Sequence, residues 1–138
     1  LIFMEIKSPV ATSGCNAFEL FDFLVDTRHL EEILPSDRVT EFSATETGCR
    51  FKASGSFDVV IERKDMERPR LIRFDSQKGT PIRFSLNVLI EEKGDERCEV
   101  QVVCDADLNP FMRMMAEKPL QEIFSGMVEK ITERFPLG

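Results

Sequence analysis

The residues able to do chemistry are few and scattered. His29 is the chain's one histidine. It stands beside Arg28, Glu31 and Glu32, where an imidazole titrating near neutrality could act as a general base. The competing reading is a surface histidine among charges on a short amphipathic helix. Asp105 and Asp107 stand two apart, so on a strand they point to one face and could share acid–base work. They fit equally well as solvated carboxylates near the start of the next helix, where its dipole favours negative charge. Cys15, Cys49, Cys98 and Cys104 show no CxxC spacing, and a metal site needs clustered His and Cys. Four reduced cysteines in a cytoplasmic chain account for them, with no metal and no cofactor. Ser54, Gly55 and Ser56 form a turn or bulge without the lysine and flanking pattern of a phosphate loop. A lone histidine completes no Ser-His-Asp set, so no catalytic residue is assigned.

Two other groups bear on binding. Met112, Met114 and Met115 crowd one short stretch. Methionine is adaptable and recurs on surfaces that accept varied apolar partners, though it also fills gaps in ordinary cores. Arg73 and Arg113 could anchor an acidic ligand group if either reached a cavity.

Composition narrows the partners. The formal net charge of −7 over 138 residues lacks the basic face that nucleic acid requires, and it weighs against an anionic membrane surface. No apolar run approaches a membrane span, and the N-terminus lacks the marks of a signal peptide, so a cytoplasmic location without stable membrane insertion is expected. Twelve Phe with no Trp and no Tyr provide apolar volume with no polar tip to satisfy. The length suits one domain, residues 1–138.

The elements that must position these groups follow from periodicity. "FMEIKS" alternates as a half-buried strand, and "SPVATSG" breaks it. "NAFELFDFLVDT" predicts a helix with Asn16 and Glu19 as a capping box and an apolar face of Phe18, Leu20, Phe21, Leu24 and Val25. "RHLEEILP" predicts a second short helix that Pro35 ends. From residue 38 the period becomes two. Cys49, Phe51 and Ala53 share a face, as do Phe57, Val59 and Ile61 on the next strand. "RPRLIRFDSQ" predicts another strand. Ile82, Phe84, Leu86, Val88 and Ile90 share a face, and so do Cys98, Val100, Val102 and Cys104. Short strands joined by turns imply an antiparallel sheet with one face to be covered.

The last segment supplies the cover. Asn109 and Pro110 suit the cap and first position of a helix. Leu120, Ile123, Phe124, Met127, Ile131 and Phe135 then recur at spacings of three and four. Pro119 lies inside this pattern and predicts a kink or short break near Glu117 to Pro119, with the preceding segment as an adjustable lid. Gly126 would allow close approach to a strand.

The order of strand, helix pair, antiparallel strands and long final helix resembles the START-related helix-grip superfamily, often called SRPBCC. The likeness spans Phe3 to Phe135 and rests on the "NAFELFDFLVDTRHLEEILP" helix pair and the "NPF" entry to the last helix. It implies an α+β fold in which a curved antiparallel sheet wraps a long C-terminal helix. It also implies an apolar cavity between them. The expected function is binding of a small hydrophobic or amphipathic molecule. The expected lining is Phe84, Leu86, Val88, Val100 and Val102 from the sheet, with Phe111, Met112, Met115, Phe124 and Met127 from the helix. Two alternatives stay open: a cyclase- or dehydratase-type enzyme using the same cavity, and an interaction protein like the superfamily's co-chaperones. Either a monomer or a homodimer fits.

Overall fold

A computed structural model describes residues 3–53 and 57–138. Its first strand, β1 (Phe3–Lys7), is followed by a three-residue strand, β2 (Ala11–Ser13), where the sequence predicted only a break. The extra strand forms because Ala11 to Ser13 stay extended beside the final strand and pair with Val100 to Cys98. The helix α1 (Ala17–Val25) begins where the Asn16 side chain accepts from the Glu19 amide, 2.8 Å away. A 3-10 turn (Thr27–His29) and the one-turn helix α2 (Leu30–Ile33) complete the pair.

Six strands follow: β3 (Val39–Ala44), β4 (Gly48–Ala53), β5 (Phe57–Glu67), β6 (Leu71–Ser76), β7 (Arg83–Glu92) and β8 (Cys98–Asp107). The Ser54–Ser56 turn lies outside the described residues. All pairings are antiparallel, in the order β1-β8-β7-β6-β5-β4-β3, with β2 beside β1 on β8. The inward residues of β7 and β8 are those that alternation selected, and all are buried.

The curved sheet is covered by α3 (Pro110–Arg134), capped by Asn109, whose side chain accepts from the Met112 amide at 2.8 Å. The predicted break is absent: the helix runs unbroken through Pro119. One proline removes one hydrogen bond and costs about 3 kcal/mol. A capped helix of 25 residues whose second half is buried absorbs that loss. The separate lid before Pro119 therefore does not exist as a distinct element. Gly126 makes its close approach to Pro35, not to a strand: a Cβ there would lie 3.1 Å from the proline ring.

The seating of α3 is lopsided. Its backbone comes near β8, β1, β2 and α2. Leu120, Ile123, Phe124, Met127, Val128 and Ile131 are buried there. The sheet curls away on the side of β4, β5 and β6, and space remains between it and the helix. One predicted apolar position turns outward. Phe18 on α1 is 45% exposed, with the Arg68 guanidinium 4.8 Å above its ring. No helix is long and apolar enough to cross a membrane among the described residues.

Candidate ligand-binding site

The space beneath α3 has two adjoining parts. The inner part is a cavity of about 40 Å³. Its floor comes from β4, β5 and β6 through Cys49, Phe51, Val59, Ile61 and Phe74, whose period-two spacing turns them all inward. Phe84 and Leu86 of β7, Leu30 and Leu34 of the helix pair, and Phe124 and Met127 of α3 close it. The outer part is a groove of about 270 Å³ at the open end of the sheet. It is lined by Met112, Met115, Ala116 and Pro119 of α3, facing Ala53, Phe57 and Ile82. Ala53, Phe57, Ile82, Leu120 and Ile123 border both parts and form the partition between them.

The expected lining divides accordingly. Phe84, Leu86, Phe124 and Met127 line the inner cavity, and Met112 and Met115 line the groove. Val88, Val100 and Val102 line neither and are corrected to core positions. Val100 and Val102 lie on β8, against which α3 sits, and Val88 lies on β7, which α1 approaches. Phe111 is also corrected. It is 66% exposed and lines neither part. The contributions of β4, β5 and β6 were visible as inward alternation. What the sequence hid was that α3 seats against β8, β1 and β2 and leaves space over β4, β5 and β6.

The electrostatics of the site are nearly blank. Every lining side chain is apolar except the Cys49 thiol, which burial pushes up to about 12, so it stays protonated at neutral pH. The candidate polar residues all sit elsewhere. His29 stacks on Phe23 with ring centroids 4.1 Å apart, and its Nδ1 donates to the Phe23 carbonyl at 2.7 Å, tying the turn to α1. Arg73 pairs with Asp75 at 2.9 Å and donates to Ser85 at 3.1 Å on the outer face of the sheet. Asp105 and Asp107 lie on that same outer face, opposite Ser85 and Arg83. Arg113 pairs with Glu117 at 3.5 Å. Among the described residues no group of three His, Cys, Asp or Glu side chains could hold a metal ion.

No family model and no curated protein matches the sequence. Solved structures do match the fold. A START superfamily protein from Mycobacterium smegmatis superposes with a TM-score of 0.75 at 12% identity, covering 95% of this chain and 96% of that one. Truncated norcoclaurine synthase from Thalictrum flavum gives 0.74 at 12% identity, covering 96% and 93%. The protein XoxI from Bacillus cereus gives 0.75 at 8% identity, covering 98% and 96%. Eight antiparallel strands wrapped on one long helix, with a helix pair after the opening strands, give this chain the START-related helix-grip fold.

Proposed function

We propose that the protein binds a small, largely apolar molecule in the outer groove, with one end directed at the partition. The observation that carries this reading is the groove itself: about 270 Å³ of open space walled by apolar side chains at the mouth of the sheet. Ligand sites are commonly clefts of roughly 300–1,000 Å³ with mainly apolar walls, so the groove suits a ligand at the small end of that range. The inner cavity of about 40 Å³ is too small to hold such a molecule unaided. It can admit a narrow tip if Phe57 or Ile82 shifts. The cyclase or dehydratase alternative draws no support from the linings, because general acid–base work needs polar groups convergent on the substrate.

Titration with Nile red tests the reading. One dye should bind per chain, and Met115→Trp should weaken it at least tenfold by filling the groove. Met115 is 64% exposed, so the thermal melt should be unchanged. A titration that does not saturate, or one indifferent to the substitution, would overturn the reading.

A further inference from the structure

No polar side chain lines the groove, so its polarity comes from the backbone. In an α-helix each carbonyl accepts from the amide four residues on. Pro119 has no amide hydrogen to offer, so the Met115 carbonyl is left without its helical donor. Regular helical pairing commits the neighbouring amides to other carbonyls. In the unbroken α-helix the Lys118 amide belongs to the Met114 carbonyl, and the Leu120 amide to that of Ala116. Among the described residues no side chain donates to Met115 either: on this helix Gln121 reaches Lys7 and Ser125, Thr132 reaches Glu129, and the arginines pair with Glu117 and Glu32. Met115 and Pro119 both line the groove, so the free oxygen lies on the groove side of the helix.

We infer that the groove selects apolar ligands carrying one hydrogen-bond donor, such as a phenol or a fatty alcohol, and holds that donor on the Met115 carbonyl. This rests on the ligand reading above. A carbonyl facing an open groove is free to accept from solvent. An apolar body that fills the groove displaces that solvent, and a ligand with no donor then leaves the oxygen unpaired. A net hydrogen bond of this kind is worth about a three- to tenfold preference. Arg113 and Lys118 supply no competing anion site, since neither lines the groove.

The test uses two probes of nearly equal shape, 2-naphthol and 2-methylnaphthalene, each displacing Nile red from the full chain. Two variants, Pro119→Ala and Pro119→Val, both restore the amide while differing in bulk. In the wild type, 2-naphthol should gain relative to 2-methylnaphthalene beyond what their partition into apolar solvent accounts for. In both variants that relative preference, read as the ratio of the two affinities so that a change of groove shape shared by both probes cancels, should shrink by about three- to tenfold. Equal changes for both probes, or a change in only one variant, would mean that groove shape decides and would overturn the inference. An unchanged preference in both variants would overturn it as well. If neither probe displaces the dye in any form, the ligand reading falls and this inference falls with it.

Discussion

Cys49 is the most reactive group that the inner cavity contains, and burial disarms it. Its thiol and that of Cys104 are both pushed up to about 12, chiefly by desolvation, from an ordinary value of 9.0. A raised thiol pKa stabilises the fold at pH values below the unfolded pKa. That contribution is lost as the pH climbs toward the folded value, because the unfolded chain releases the proton first. Between pH 9 and 12 each thiol should therefore cost about 1.4 kcal/mol of stability per pH unit. Cys98, also pushed up to about 12, adds to the same decline. Urea unfolding at a series of pH values above 9 should show this decline, and Cys49→Ala and Cys104→Ala should each flatten it. A flat profile in the wild type would show that these thiols ionise freely in the folded state. At this scale the sequence spoke clearly about facing and poorly about proximity. Alternation put Cys49 and Cys104 inward, yet only the curl of the sheet places one beside a cavity and the other in sealed core.

Strain is concentrated in β3, the edge strand of the sheet. Glu41 has φ of 54° within the irregular stretch between Thr40 and Ser43. A residue with a Cβ is disfavoured by about 1–2 kcal/mol in this left-handed region, which asparagine tolerates better. Glu41→Asn should raise the unfolding free energy by about 0.5–1 kcal/mol in urea titration. No gain would mean that the glutamate side chain compensates the strain. The irregularity also interrupts a free edge that would otherwise invite pairing with another chain. Neither this conformation nor β2 was legible beforehand. Both depend on what lies alongside: β2 exists because β8 offers it a partner, and a seven-residue linking stretch shows no periodicity of its own. Phe18 failed for a related reason. Helical spacing assigned it to the apolar face, but α1 presents it to solvent, where Arg68 covers the ring while pairing with Asp22 at 2.8 Å. Pro119 failed in the opposite direction, because a local rule about helix interruption yielded to a long, well-seated helix.

For the molecule as a whole, element order and inward faces sufficed to give the architecture. The location of empty space did not follow from them. A packed side and an open side use the same residue types: Val100 and Val102 under the tight contact are no different in kind from Val59 and Ile61 beside the cavity. What separates them is which strands α3 sits against, which no spacing encodes. The charge balance is legible throughout. The surplus of acid lies on outer faces and leaves the groove free of ionisable side chains, so a ligand bound there is sorted by shape and by backbone polarity.

The first turns of α3 have one further consequence, in redox chemistry. Met114 is 75% exposed and Met115 64%, while Met127 and Met4 are buried. Exposed methionines oxidise first, and a sulfoxide turns a soft apolar side chain into a polar one. Met115 stands on the groove wall, so mild hydrogen peroxide should lower Nile red affinity severalfold before the fold is harmed. Peptide mass mapping should find oxygen on Met114, Met115 and the half-exposed Met66 ahead of Met127 and Met4. A Met115→Leu protein should keep its affinity through the same treatment, and methionine sulfoxide reductases should restore the wild type. Equal losses in both proteins would place the damage elsewhere. The adaptability that suits methionine to an apolar wall thus leaves this site open to oxidants that the four buried cysteines escape.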